Sequence, residues 1–157
     1  MLGIFVAFTV RCLLVMLFLP FSALDKILNF DLAVGQAAEL VSARPVAKML
    51  IFAGLGVEVV MSLAVLTGIA DRLGAFILAG YCIVTALLWK QFWRMSDFRL
   101  KGKSRGRETF WDFLKNLGLA GGFLLLAFGT NASGVRHFLA HPLASSDPYA
   151  VTDGRGT

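Results

Sequence analysis

The chain carries four long stretches in which hydrophobic residues are almost uninterrupted. They cover about 3–24, 47–70, 73–93 and 113–131. A helix needs about 20 mostly apolar residues to cross the hydrocarbon core of a bilayer, and each stretch satisfies that length. The pattern therefore predicts an all-α, integral membrane four-helix bundle that occupies residues 1–135 as one domain.

The segment between the first two stretches has a mixed pattern. Over 25–46, apolar residues such as Ile27 and Leu32 alternate with polar residues such as Asp31 and Glu39. Such a segment is typical of a short amphipathic helix that lies at the membrane interface. We therefore expect an interfacial amphipathic segment between helices 1 and 2.

The remaining connections predict the topology. Two residues join the second and third stretches, which allows only a tight hairpin, whereas 94–112 form a basic loop. Most basic residues lie on the side of this loop, and basic residues favour the cytoplasmic side of a membrane. We therefore predict that both termini lie outside the cytoplasm, and that the tail over 136–157 is loose beyond Pro142.

Composition agrees with a membrane protein. The 157 residues are 57% hydrophobic and 16% charged, against about 25% charged in a typical soluble domain. Cys12 and Cys82 have no CxxC spacing, and His137 and His141 have no third ligand nearby in the sequence, so we predict no metal site. Nothing in the sequence indicates a nucleic-acid-binding fold.

Two charged residues interrupt the apolar stretches, Arg11 in the first and Glu58 in the second. A charge at the centre of a spanning helix costs about 2.5–3.5 kcal/mol on insertion scales, so each of them needs a partner. Counted from the outer ends of antiparallel helices, they lie at depths of about 12 and 18 Å. We therefore predict an Arg11–Glu58 ion pair between helices 1 and 2.

Tyr81 and Thr85 extend this polar layer, because their i, i+4 spacing places both on one face of the third helix at a similar depth. With Arg11 and Glu58 they form a candidate polar pocket near the middle of the membrane. Two interpretations stay open. Either the pocket binds a ligand, or the ion pair is structural and fixes the register of the helices.

A second group of residues lies at the predicted cytoplasmic ends of the helices, and consists of Lys26, Trp89, Lys90 and Asn116. One interpretation is an aromatic belt with lysines that extend to the interface. The other is a binding rim for a quinone head group or a partner subunit.

The order of these features resembles the DoxX family. Over about 8–135 the resemblance rests on Arg11, Lys26, GVEVVMSLAVLTGIADR, TALLWKQFW and FLKNLGLAGGFLLLAFG. The chain departs from the family pattern at Lys90, where many members carry histidine. The resemblance implies a small four-helix protein of the bacterial plasma (inner) membrane, and some relatives are linked to electron transfer from thiosulfate to quinone or to complexes that handle sulfur and oxidative stress.

Three functions follow as hypotheses. The first is a membrane subunit or anchor of an oxidoreductase complex, with the bilayer and a redox partner as its partners and a quinone as its candidate cofactor. The second is a non-catalytic scaffold or assembly factor. The third is a proton-coupled carrier in which Glu58 titrates. The sequence leaves open the substrate, whether the protein is an enzyme, and whether it forms a homo-oligomer.

Overall fold

A computed structural model describes residues 1–39, 41 and 43–150, and these residues are predominantly helical. The last seven residues of the predicted loose tail lie outside the described part. The helices are α1 (Leu2–Val15), α2 (Ala23–Leu28), α3 (Phe30–Ala38), α4 (Arg44–Thr67), α5 (Asp71–Trp89), α6 (Arg105–Phe128) and α7 (Ala132–Ala140), with a π-helical turn at Leu17–Ser22 and a 3₁₀ turn at Phe92–Arg94.

Four helical segments are long and apolar enough to cross a membrane: Leu2–Leu28, Arg44–Thr67, Asp71–Arg94 and Arg105–Phe128. This confirms the prediction of an all-α four-helix membrane protein. Each crossing exposes many large apolar side chains, as expected for helices whose outer faces contact lipid.

The fourth crossing begins at Arg105 rather than near 113, because the preceding loop caps it. The Asp97 carboxylate accepts hydrogen bonds from the backbone N–H groups of Arg105 and Gly106 at 2.8 and 3.1 Å, and Ser104 Oγ accepts one from the N–H of Arg107 at 3.1 Å. These acceptors satisfy the free N–H groups of the first helical turn. The second half of the predicted basic loop is therefore helical.

Helices α4 and α5 form the predicted tight hairpin. Gly68 ends α4 with φ of +80°, a conformation that favours glycine. The two helices then approach closely, because a Cβ added at Gly74 would lie 3.0 Å from the carbonyl oxygen of Met61. Together with α6 they enclose the main core, in which Leu78 and Phe123 are fully buried. We call the end of the bundle that carries this turn the hairpin end, and the opposite end, with the loop before α6, the basic end.

The segment from α1 to α3 runs antiparallel to α4 along its whole length. At Leu19 the backbone leaves the helical region, next to Pro20, so the chain bends before it continues as α2 and α3. The predicted amphipathic segment thus contains α3, which packs along the first turns of α4. Successive contacts follow one register: Arg11 with Asp71, Lys26 with Glu58, and Phe30 with Phe52, followed by the buried cluster that contains Ala37 and Ala47.

The C-terminal part differs from the expectation of a loose tail. Helix α7 packs back onto the bundle through Phe138, whose ring lies 5.2 and 5.1 Å from the rings of Phe76 and Phe128. Residues 143–150 then return to the hairpin end and hydrogen-bond to it through Ser145, Ser146 and Tyr149. The two serines supply hydrogen-bond donors to the Gly68 carbonyl and to the buried Asp71 carboxylate.

Candidate functional site

The first buried charge cluster, the Lys26–Glu58 site, lies between α2 and α4. Lys26 Nζ is 2.6 Å from Glu58 Oε1 and donates a second hydrogen bond to Ser22 Oγ at 2.7 Å. Ser22 Oγ in turn donates to Glu58 Oε1 at 3.0 Å. The Glu58 side chain is 1% exposed and the Lys26 side chain 18%. The ion pair is therefore almost completely buried, and its lysine is the more exposed of the two side chains.

The break in the first crossing creates this site. Ser22 and Lys26 are spaced i, i+4, so both project from the same face once α2 has begun. Ala23, which is buried, lets α2 approach the bundle closely. The approach turns the Lys26 ammonium inward toward α4, where Glu58 lies about midway along the helix.

Two further polar groups surround Glu58. Ser62, one turn further along α4, is fully buried, and neither its Oγ nor Glu58 Oε2 has a hydrogen-bond partner in the described part of the chain. Tyr81 is close enough to Glu58 for the two groups to interact, and its hydroxyl lies against Gly54, where an added Cβ would be 3.2 Å from it. The site therefore has spare hydrogen-bonding capacity beside its ion pair.

The second cluster, the Arg11–Asp71 site, lies at the hairpin end. Arg11 Nη2 donates to Asp71 Oδ2 at 2.6 Å, and the two side chains are 4% and 0% exposed. Asp71 is the first residue of α5, where the positive end of the helix dipole favours a carboxylate. Ser146 belongs to the same cluster, since its Oγ accepts from Arg11 Nη2 at 2.7 Å and donates to Asp71 Oδ2.

The predicted Arg11–Glu58 pair is wrong, because each residue has another partner. The prediction assumed that the outer ends of helices 1 and 2 are level. Instead α1 begins nine residues before Arg11, and Arg11 is level with the hairpin turn. At 1.5 Å per residue, α1 extends about 13 Å beyond the level at which Arg11 meets Asp71.

The residues of the predicted polar pocket do not form one site in the structure. Tyr81 lies at the Lys26–Glu58 site, and Arg11 does not. The Thr85 hydroxyl donates to the backbone carbonyls of Tyr81 and Cys82 in its own helix, at 2.8 and 3.1 Å, so it is not directed at Glu58. The structure thus brings Glu58 and Tyr81 together and separates them from Arg11.

The predicted rim also changes in membership. Lys26 is not part of the rim, because it pairs with Glu58. At the basic end, Trp89 Nε1 lies 3.5 Å from the carbonyl oxygen of Gln36. Lys90 Nζ lies 3.4 Å from Asp112 Oδ2, and Asn116 follows one turn later on the same helix, α6.

Sequence reasoning missed three residues of the two clusters: Ser22, Asp71 and Ser146. A signal existed for Asp71. Fifteen positions separate Arg11 from Lys26 and 13 separate Glu58 from Asp71, so two bases and two acids match in antiparallel register. No comparable signal exists for Ser146, which reaches the site only through the return of the tail.

Four apolar crossings and two buried ion pairs between them define a multi-pass membrane protein. A model of the DoxX family matches residues 6–91, and the chain belongs to the DoxX family. The matched segment contains both ion pairs, and α6, α7 and Ser146 lie beyond it. No curated protein and no solved structure matches the chain.

Proposed function

We propose that this protein is the membrane subunit of an oxidoreductase complex in a bacterial plasma membrane, and that the Lys26–Glu58 site binds a quinone head group. One observation carries the proposal. Glu58 Oε2 and Ser62 Oγ are buried polar atoms without a hydrogen-bond partner among the described residues, and they lie one helical turn apart beside an ion pair. Buried polar atoms normally have partners, so this arrangement suits a ligand that both accepts and donates hydrogen bonds.

The residues present fit such a head group. The hydroxyls of Ser62 and Tyr81 are donors suited to a carbonyl oxygen, and the Lys26 ammonium is a third donor at the open side of the site. The Glu58 carboxylate is an acceptor with Oε2 free for a further hydrogen bond among the described residues. Phe18 packs edge-on against Tyr81 with ring centroids 6.0 Å apart and gives the site an aromatic wall. A bound quinone would supply the two-electron redox chemistry, and the chain would orient it and exclude water.

The electrons would come from a partner protein, because the side chains that form this site include no redox-active group. A docking place for the partner is the open groove at the basic end that is lined by Glu108, Trp111, Asp112 and Lys115. Its lining residues lie on the first three turns of α6. The partner would then lie on the cytoplasmic side, and both termini would lie on the other side of the membrane. The excess of basic residues at the basic end agrees with this orientation.

Quinone retention tests the proposal. The protein is purified in a mild detergent, and bound quinone is extracted and quantified by mass spectrometry for the wild type, Glu58→Gln and Ser62→Ala. Thr85→Val is the matched control, because the Thr85 hydroxyl is bonded to its own helix. We expect about one quinone per wild-type or control chain, and strong loss in both site variants. A wild type that retains only bulk phospholipid, or site variants that retain quinone equally, would contradict the proposal.

A second candidate function is a non-catalytic scaffold. The observation that favours it is that both buried carboxylates already have a cation within 2.6 Å, which is sufficient reason for their presence. A scaffold would retain a stoichiometric protein partner without quinone, and the double variant Lys26→Met/Glu58→Gln would still assemble and support activity of the complex. A quinone-binding subunit with the same double substitution would assemble an inactive complex.

A further inference from the structure

The C-terminal segment 143–150, here called the strap, crosses the hairpin end and contacts both helices of the turn. Ser145 Oγ donates to the carbonyl oxygen of Gly68 at 2.6 Å. The backbone N–H of Ser146 donates to Asp71 Oδ1 at 2.9 Å, and Tyr149 Oη donates to the carbonyl oxygen of Leu66. The strap thus satisfies carbonyl groups at the end of α4 that no further helical turn can reach.

Ser146 is the specific element of this contact. Its hydroxyl lies between the two charges, where it accepts from Arg11 and donates to Asp71, while its N–H binds the other oxygen of the same carboxylate. The Arg11–Asp71 site therefore binds a serine residue of this chain through three hydrogen bonds. Gly68 makes room for the strap, because a Cβ at that position would lie 2.9 Å from Pro148 Cγ.

The contact is mainly polar. On the apolar side, the rings of Tyr149 and Phe8 lie 6.4 Å apart between centroids, Pro148 packs on a glycine, and no residue of the strap is fully buried. Burial raises the pKa of the Tyr149 phenol, so this hydroxyl keeps its proton as a donor. Residues 141–142, which join the strap to α7, are exposed. A segment with few buried apolar contacts and an exposed connection opens locally, well before the protein unfolds.

We propose that the strap is a detachable cover of the Arg11–Asp71 site. When docked, it shields the hairpin end. When released, it opens the buried ion pair to water and solutes while the four crossings stay folded. The strap contacts the hairpin end, and Glu58 lies nine residues, or about 14 Å, before that end of α4, so the inference is independent of the proposed quinone site.

Cys12 reports on the position of the strap, because it follows Arg11 in α1 and lies near the Tyr149 phenol. The full chain is placed in nanodiscs and treated with a charged maleimide, and labelling is followed by mass spectrometry. We expect Ser146→Ala/Tyr149→Phe to raise the labelling rate of Cys12 at least about tenfold. Ser133→Ala, an exposed serine of α7, is the matched control, and the buried Cys82 is the internal control that stays unlabelled. Equal Cys12 rates in the wild type and the double variant would overturn the proposal.

Hydrogen exchange of the wild type provides a second test that needs no substitution. We expect the Ser146 amide to exchange more slowly than in a free peptide of the same sequence, and much faster than core amides of α5. Exchange at the free-peptide rate would show that the strap does not dock. Exchange only together with α5 would show that it does not detach. Either result would overturn the proposal.

Discussion

Arg11 and Asp71 lie 60 positions apart in the chain, yet Arg11 Nη2 is 2.6 Å from Asp71 Oδ2, and both side chains are almost completely buried. A second pair, Lys26 and Glu58, repeats this relationship further along the same two segments. Because both pairs join the first crossing to the hairpin of α4 and α5, together they fix one antiparallel register. A shift by one helical turn would leave four charges without partners.

Loss of the acid should be more harmful at the hairpin end than at mid-bundle. Asp71→Asn strands Arg11, which is 4% exposed and cannot lose its proton, and we expect a loss of about 3–5 kcal/mol in stability. Glu58→Gln should cost less, because Lys26 is 18% exposed and its long side chain can turn outward. Thermal unfolding in detergent compares the two variants, and equal midpoints would contradict this ranking.

The register of α3 along α4 can be tested by cross-linking. Ala37 and Ala47 belong to one buried cluster, so in a background without native cysteines Ala37→Cys/Ala47→Cys should form a disulfide on mild oxidation. Gly35→Cys/Ala47→Cys is the control, since Gly35 has an open face. Mobility on a non-reducing gel distinguishes the products. A cross-link in the control but not in the test pair would show that α3 has a different orientation.

The close crossing of α4 and α5 predicts opposite effects for two glycines of the same helix. Gly74→Ala would place a methyl group 3.0 Å from the Met61 carbonyl oxygen and 3.1 Å from Ala64 Cβ, and should destabilise the protein by about 1–3 kcal/mol. Gly80→Ala meets nothing within 4 Å and should stabilise it by about 0.5–1 kcal/mol through helix propensity. Melting temperatures measure both, and a stabilising Gly74→Ala would refute the close contact.

Asp97 should hold the basic loop to the start of α6. Asp97→Ala removes the acceptor of two backbone N–H groups, and we expect a loss of about 1 kcal/mol together with faster amide exchange at Arg105 and Gly106. Asp31→Ala serves as the control, because its side chain is 87% exposed. Unchanged exchange at the first turn of α6 would contradict the capping role.

The sequence was sufficient to predict the four crossings but not their register. The length of each apolar stretch alone identified the four crossings, because the thickness of the bilayer sets the length that a spanning helix needs. The pairing of Glu58 depended on which helix ends are level, and α1 begins nine residues beyond the level of the hairpin turn, which changes that alignment. The break at Leu19 and Pro20 mattered as well, since it turns Lys26 inward from its predicted place at the rim.

The strap shows a different limit of sequence reasoning. Serine, proline and aspartate without periodicity are typical of loose termini, and such residues surround Ser146. Its order depends on a buried ion pair far away in the chain that needs an additional donor and acceptor. Such a requirement arises only once α1 and α5 are in place, so no local pattern indicates it.

A double-mutant cycle across Arg11 tests the central claim most directly. Stability is measured for Arg11→Met, Asp71→Leu, Glu58→Leu and the two doubles that combine Arg11→Met with each acid substitution. The structure predicts a coupling energy above about 1 kcal/mol between Arg11 and Asp71 and below about 0.5 kcal/mol between Arg11 and Glu58. Strong coupling to Glu58 with none to Asp71 would contradict the register described here.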